Sequence, residues 1–147
     1  MTLKVNANGE IVEASRNYGW DGSAWRKLPL VWGYSDRYVE REANTNADAG
    51  LNALTFTTIP ADEVWFILGG LAYNTTSSNT VVEWLHTGSV EDMRLRRSMA
   101  TAANDEIRLD TMIVLKPGDT LQVNFNGCTA GDTIVAYAWG YKMKIAE

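Results

Sequence analysis

The last third of the chain alternates apolar and polar residues in the manner of antiparallel β-strands. Leu121, Val123 and Phe125 are each separated by one polar residue, the period-two pattern of a strand with one buried face. Turn-forming residues lie on either side, Pro-Gly-Asp at residues 117–119 and Gly-Asp at residues 131–132. Strands separated by such tight turns predict an antiparallel β-sandwich.

The same pattern extends backwards to Gly50. Seven strands are predicted, at Leu51–Ile59, Glu63–Asn74, Thr80–Thr87, Val90–Met99, Ile107–Leu115, Thr120–Gly127 and Thr133–Ile145. An eighth strand from the region Val31–Glu40 would complete the eight short antiparallel strands of a jelly roll. The sequence therefore predicts an all-β, jelly-roll-like sandwich over residues 50–147.

Residues 1–49 differ from the rest and predict an extended N-terminal arm. Asn and Gly at residues 6–9 and Asp-Gly at residues 21–22 indicate two short hairpins. The stretch Ser35–Ala49 is polar and rich in Asn, Asp and Ala, so we interpret it as a linker. The chain thus divides into an arm with its linker, residues 1–49, and the sandwich, residues 50–147.

The arm is rich in aromatic residues but too short to build a core of its own. Three of the six Trp residues, Trp20, Trp25 and Trp32, lie in it together with Tyr34. These side chains either pack onto the chain's own sandwich or anchor the arm on a neighbouring subunit. Aromatic residues suit the second role because they bury a large area at low entropic cost.

Two predicted strands, Glu63–Tyr73 and Ile107–Leu115, are apolar on both faces. In Glu63–Tyr73, one face carries Val64, Phe66 and Leu68, and the other carries Trp65, Ile67, Leu71 and Tyr73. An antiparallel sandwich strand normally leaves one face in water, so a second apolar face indicates a covered surface. The arm or another subunit would cover it. We therefore expect a homotrimer, with Trp65, Ile67, Leu71 and Tyr73 joining the four arm aromatics as candidate interface residues.

The final strand predicts an aromatic contribution to the core. Tyr137, Trp139 and Tyr141 share one face, and the opposite face carries Ala136, Ala138 and Gly140. Large aromatic side chains are the usual occupants of a core. We therefore expect Trp139 to be buried between the two sheets.

The composition argues against several kinds of partner. A formal net charge of −5 opposes a nucleic-acid backbone as the main partner, because that affinity depends on Lys and Arg neutralising phosphates. No apolar run approaches the roughly 20 residues that cross a bilayer. The N-terminus has no apolar signal-peptide core, and a lone Cys128 forms no internal disulfide. These features favour synthesis in a reducing cytoplasm.

No residue pattern points to catalysis, a cofactor or a metal. A nucleophilic triad would need the single histidine, His86, beside a nucleophile, and nothing in the sequence marks one. One His and one Cys would half fill a zinc shell. Asp119 and Asp132 could ligate Ca²⁺, but their positions after Gly also fit turns. We therefore expect a protein that is not an enzyme.

Three segments resemble virion proteins of tailed bacteriophages. They are the W-D-G-S-A-W motif at Trp20–Trp25, Ile59–Asn74 and Leu115–Lys144. In style the chain is most similar to capsid cement (decoration) proteins, and secondarily to head-fibre and tail-accessory proteins. The resemblance implies a structural subunit, made in the host cytoplasm and located in the virion. It implies a trimer on the outside of the capsid lattice, bound to the major capsid protein.

A carbohydrate-binding jelly roll is the alternative from a different class. Such a module would hold a glycan on an aromatic platform, for which Trp84 and Trp139 are the candidates. Sedimentation would separate the two interpretations, because a cement protein predicts a stable trimer or an association with capsids and a lectin does not require either.

Overall fold

A computed structural model of the chain describes residues 36–88 and 92–144, together with four short strands nearer the N-terminus. The short strands pair as two antiparallel hairpins, β1 (Lys4–Val5) with β2 (Ile11–Glu13), and β3 (Tyr18–Trp20) with β4 (Trp25–Lys27). A separate compact unit spans Tyr34–Ile145. The arm remains a prediction, since most of its residues lie outside the described part.

Two antiparallel sheets make up this second unit. Its described strands are β5 (Asp36–Ala47), β6 (Gly50–Thr55), β7 (Glu63–Asn74), β8 (Asn79–Thr87), β9 (Asp92–Thr101), β10 (Ile107–Leu109), β11 (Ile113–Leu115), β12 (Thr120–Cys128) and β13 (Asp132–Lys144). Sheet I has the order β10-β7-β13-β5, with β11 also paired to β7, and sheet II has the order β6-β12-β8-β9. With β10 and β11 taken as two pieces of one strand, this is the eight-position, two-sheet arrangement of a jelly roll. The predicted all-β sandwich is confirmed.

The linker predicted over Ser35–Ala49 is wrong, because strand β5 occupies most of it. β5 pairs with β13 along its length, from Asp36 opposite Lys142 to Ala47 opposite Asp132. Its polar composition suits a strand at the edge of a sheet, where charged side chains discourage pairing with another chain. The sandwich therefore begins before Gly50.

The core between the sheets is built around Trp84 of β8. Its side chain is fully buried, its ring is stacked 6.0 Å from that of Phe56, and its Nε1 donates a 3.1 Å hydrogen bond to the Ile107 carbonyl. A Cβ atom at Gly70 of sheet I would lie only 2.6 Å from the Trp84 ring. Sheet I therefore needs a glycine where Trp84 meets it.

The expectation that Trp139 is buried in the core is wrong. Ala136 and Ala138 of β13 are the inward residues, both fully buried, whereas Trp139 on the opposite face is 41% exposed. Packed sheets lie about 10 Å apart, so a large side chain from one sheet requires small ones from the other. Because Trp84 supplies that large side chain, the aromatic residues of β13 face outward.

A bulge in β7 explains a second correction. Leu68 has no partner in the register with β13, where Gly69 lies opposite Trp139 and Ile67 lies opposite Gly140. An extra residue reverses the alternation of side chains beyond it. Trp65 and Ile67 consequently face the core, while Leu71 and Tyr73 face outward, and the prediction that these four share one face is wrong.

Both turn aspartates have the structural roles that their sequence context indicates. Asp119 accepts a 3.1 Å hydrogen bond from the Lys116 backbone N–H and lies 2.9 Å from Nε2 of His86. Asp132 accepts a 2.8 Å hydrogen bond from the Thr129 backbone N–H. The carboxylates are almost fully buried, so they hold the turns together from inside.

Candidate interaction surface

The outward face of sheet I brings together a set of aromatic, aliphatic and arginine side chains. Residues paired across antiparallel strands share a face, so the register of β5, β13 and β7 gives three rows. The rows are Arg37, Tyr141 and Phe66, then Val39, Trp139 and Gly69, then Arg41, Tyr137 and Leu71. We call these nine positions the aromatic face.

The aromatic face is open to solvent at its centre and along one border. Val39 is 57% exposed and Trp139 is 41% exposed, although they are direct neighbours. On the border, Leu68 at the bulge and Val114, which lies opposite Phe66, are about half exposed. A contiguous group of exposed apolar side chains marks a site of protein or ligand contact.

Trp139 lies flat enough on the sheet to need a glycine beneath it. A Cβ atom at Gly69 would sit 2.7 Å from Cζ2 of the indole and 3.2 Å from the Leu109 carbonyl oxygen. These distances are shorter than van der Waals contacts, so only glycine admits the ring at this position. Gly69 thereby fixes where the largest exposed side chain of the face is presented.

The row beside Trp139 is ordered by ring stacking. Tyr141 of β13 and Phe66 of β7 lie with their ring centroids 4.8 Å apart and their planes 11° apart. An offset stack of this kind stabilises two side chains in one arrangement. This part of the surface therefore loses little side-chain entropy when a partner binds.

The other row is ordered by an arginine. Nε of Arg41 donates a 3.0 Å hydrogen bond to the Tyr137 hydroxyl, and its guanidinium carbon is 5.8 Å from the centre of the same ring. Burial raises the pKa of neighbouring Tyr73, as do the charge of Tyr137 and a hydrogen bond with it. Tyr73 consequently stays a neutral hydrogen-bonding group near neutral pH.

The aromatic face carries positive charge in an acidic protein. Arg37 and Arg41 are both exposed, and the strand positions described for this face include no Asp or Glu. Neither guanidinium forms an ion pair within the described residues, whereas Arg108 at the sheet edge is paired with Glu106 at 2.7 Å. The sign of this surface is thus opposite to that of the whole chain, −5.

The outward face of sheet II has a different character. Gln122 donates a 2.6 Å hydrogen bond to Asn124 on β12, and Glu83 of β8 holds both Arg94 and Arg97 of β9 at 3.2 Å. This hydrogen-bonded, ion-paired surface is the ordinary wet side of an antiparallel sandwich. The outward face of sheet I differs, because its centre is apolar and aromatic although it is exposed to solvent.

A cleft of about 270 Å³ lies at one end of the sandwich, beside β5 and β13. Its wall includes Tyr38 and Trp65, whose centroids are 4.6 Å apart, with Nζ of Lys142 4.1 Å from the Trp65 ring. Burial, followed by a hydrogen bond to Glu40, raises the pKa of Tyr38. Glu40 also accepts hydrogen bonds from Thr57, so this carboxylate serves the packing of the fold.

The described residues hold no group of three His, Cys, Asp or Glu side chains that could bind a metal ion. His86 lies against the turn carboxylate of Asp119, consistent with a structural role. Cys128 is buried, where burial raises the pKa of its thiol. Within the part of the chain that is described, no helix is long and apolar enough to span a membrane.

The predicted interface residues fall into three groups. Leu71 belongs to the aromatic face and Tyr73 borders it. Ile67 is buried between the sheets, and Trp65, also buried, faces the core and lines the cleft beside β5 and β13. The remaining four lie outside the described residues or have side chains that do; these are Trp20, Trp25, Trp32 and Tyr34.

The centre of the surface is not predicted from the sequence. The pattern of β13 predicts Trp139 in the core, and the composition of residues 35–49 predicts Arg37 and Arg41 in a linker. The signal for Trp139 was present, since Ala136 and Ala138 alternate with the aromatics of β13 and are small enough to face Trp84. The prediction that Trp84 could form a glycan platform is wrong, because Trp84 is fully buried. Trp139, the other candidate, is exposed.

No protein-family model and no curated protein matches the chain. Among solved structures it is similar to the VP2 protein of infectious bursal disease virus, with a TM-score of 0.39 at 10% identity. For the Gx strain of that virus the TM-score is 0.36 at 12% identity. Each alignment covers 86% of this chain and 35% of the viral chain, so the chain spans about a third of their length. Likeness at this level carries no argument about function.

Proposed function

We propose that the protein is a non-enzymatic structural subunit of a virion, which binds the outside of a phage capsid lattice through its aromatic face and stabilises the shell. The observation that carries this proposal is the exposed aromatic face on sheet I, opposite a polar face on sheet II. A jelly roll that buries a complete core and still presents exposed Trp139 has a surface suited to a partner.

The composition of the face supports a protein partner. Residues that dominate protein interfaces are chiefly Trp, Tyr and Arg, and the centre of this face combines Trp139 with two tyrosines and two arginines. On a lattice, many modest contacts act together, so each subunit needs only moderate affinity. The proposed partners are the major capsid protein and, within a homotrimer, other copies of the chain.

Binding to purified particles of the encoding virus tests this function. We expect Trp139→Ala to lower the amount of protein that cosediments with particles stripped of it by at least about tenfold. Met99→Ala is the matched control, because Met99 is an exposed apolar residue on the edge strand of sheet II. Equal binding of the two variants would contradict the proposal.

Copy number separates cement from the related roles. Mass spectrometry of purified virions would find hundreds of copies of a cement protein but only a handful of a head-fibre or tail-accessory protein. The exposed ring of Trp139 also favours a second candidate, a carbohydrate-binding module. Binding to a glycan array, lost in Trp139→Ala and without particle binding, would favour that candidate instead.

A further inference from the structure

We propose that the aromatic face recognises an acidic, extended segment of its partner protein, with Trp139 as the apolar anchor between two arginine–carboxylate pairs. This inference rests on the proposed function and specifies the chemistry of the partner. It follows from the charge and the spacing of the residues on the face.

The charge of the aromatic face indicates a negatively charged partner. Arg37 and Arg41 are the charged residues at the described strand positions of β5, β13 and β7 that form the face. A partner with positive charge would be repelled, whereas carboxylates would gain charge-assisted, bidentate hydrogen bonds with each guanidinium. Within residues 36–88 and 92–144, Arg41 donates through Nε to Tyr137, and its two terminal nitrogens have no hydrogen-bond partner there, so a carboxylate can bind them.

Spacing selects the form of the partner. Arg37 and Arg41 lie four residues apart on one strand, which is roughly 13 Å at the usual strand rise. Val39 and Trp139 occupy the middle row between them. In an extended partner segment, every second residue points to the same face. A segment with an acidic residue, an apolar residue and a second acidic residue at three such successive positions would therefore place a carboxylate opposite each arginine and the apolar side chain opposite Val39 and Trp139.

The same charges disfavour a second copy of this face as the occupant. In a two-fold contact of the face with itself, each arginine row would meet another arginine row, which costs free energy. A cyclic trimer avoids that arrangement, because it joins two different surfaces of the chain.

Isothermal titration calorimetry of the full chain with synthetic peptides tests the inference. The probes are Thr-Glu-Thr-Leu-Thr-Glu-Thr and its counterpart with Lys in place of Glu. We expect the acidic peptide to bind at least about tenfold more tightly, and to weaken as salt is raised. Equal binding of the two peptides, or no binding of either, would overturn the inference.

Charge-reversal variants complete the test. Arg37→Glu and Arg41→Glu should each weaken binding of the acidic peptide, and binding to particles, by about tenfold or more. Arg96→Glu on β9 is the matched control, since it changes net charge equally at an exposed position of sheet II. If Arg41→Glu alters the circular dichroism spectrum, Arg41→Gln replaces it.

The outcomes keep the inference distinct from the proposed function. Loss of particle binding in Trp139→Ala, with full binding in both Arg37→Glu and Arg41→Glu, would overturn the acidic partner and leave the capsid role intact. Binding of hyaluronate but not of the acidic peptide would also overturn it, in favour of an anionic glycan.

Discussion

The indole of Trp139 on β13 lies over Gly69 on β7, where a Cβ atom would approach to 2.7 Å. The next residue, Gly70, makes the corresponding space on the other side of the sheet, where its Cβ would lie 2.6 Å from the Trp84 ring. Two adjacent glycines thus serve opposite faces, one holding the core tryptophan and the other presenting the surface tryptophan.

Substituting each glycine by alanine should separate the two roles. Gly70→Ala meets a fully buried ring that has no room to move, so we expect a loss of about 1–3 kcal/mol in the free energy of unfolding. Gly69→Ala meets a partly exposed ring that swings away, so stability should change little while particle binding falls. Denaturant titration and cosedimentation measure the two effects. Similar stability losses would contradict this division.

The two tryptophans should also differ when they are truncated. Trp84→Ala empties a core site and should cost about 3–5 kcal/mol. Trp139→Ala should cost far less, on the order of 1–2 kcal/mol, because much of its side chain is already in water. Urea unfolding of both variants measures the two losses in the free energy of unfolding. A larger loss for Trp139→Ala would mean that the aromatic residues of β13 face the core.

Most of the fold could be predicted from the sequence, because the strands alternate and their turns carry Gly, Pro and Asp. The bounds predicted for Glu63–Asn74 are those of β7, and the turns at Asp119 and Asp132 are those observed. The eighth strand predicted from the region Val31–Glu40 overlaps the start of β5, but the rest of β5 could not be predicted, because its polar residues are held by pairing with β13 rather than by their own pattern.

The face of each strand was harder to predict than the strand itself. Alternation shows that Tyr137 and Trp139 share a face, but it does not say which face is inward. That choice depends on Trp84 in the other sheet, which lies about fifty residues earlier in the sequence. The bulge at Leu68 is also decided by pairing, and its local signal is the adjacent Gly69 and Gly70, since glycine inside a strand often marks a bulge.

Asp132 should make stability fall in acid. Burial alone would raise the pKa of Asp132, but hydrogen bonds from Ser77, from Asn74 and from the Thr129 N–H hold its pKa below the ordinary value of 3.8. A carboxyl group with a lowered pKa in the folded state stabilises the fold above its ordinary pKa, and this contribution is lost as pH falls through the folded value.

The variant Asp132→Asn isolates this contribution. We expect it to lower the free energy of unfolding at neutral pH by about 1–3 kcal/mol, since it weakens three hydrogen bonds to a buried carboxylate. The difference from the unsubstituted protein should shrink below about pH 3.8, as the aspartate becomes protonated. Unfolding curves of both proteins, recorded between pH 7 and pH 2 in steps of roughly one pH unit, measure this difference in stability. A difference that is constant with pH would contradict the role assigned to Asp132.

Glu42 should have the opposite dependence on pH. Burial raises its pKa above the ordinary value of 4.5, and the charge of Glu40 and a hydrogen bond with it raise it further. A raised folded pKa contributes stability below the ordinary pKa, and this stability is lost as pH rises through the folded value. We therefore expect Glu42→Gln to increase stability at neutral pH, on the order of 0.5 kcal/mol, and to have no such effect in acid. Asp92→Asn, at an exposed position of β9, is the control for removing a negative charge.

The last prediction concerns association through the apolar surface. Ile67 is fully buried between the sheets, so Ile67→Lys should unfold the sandwich rather than dissociate subunits. Leu68 at the bulge is 47% exposed and borders the aromatic face, so Leu68→Lys should leave the chain folded. If subunits cover this border in a trimer, the lysine gives monomers, because an unpaired charge in an apolar interface is strongly penalised. The melting midpoint of the unsubstituted protein should then rise with its concentration, since unfolding is linked to dissociation, and that of Leu68→Lys should not. Light scattering and thermal melts over a wide dilution series measure both. A monomer mass at every concentration, with a constant midpoint, would eliminate the trimer and leave the aromatic face for a different protein.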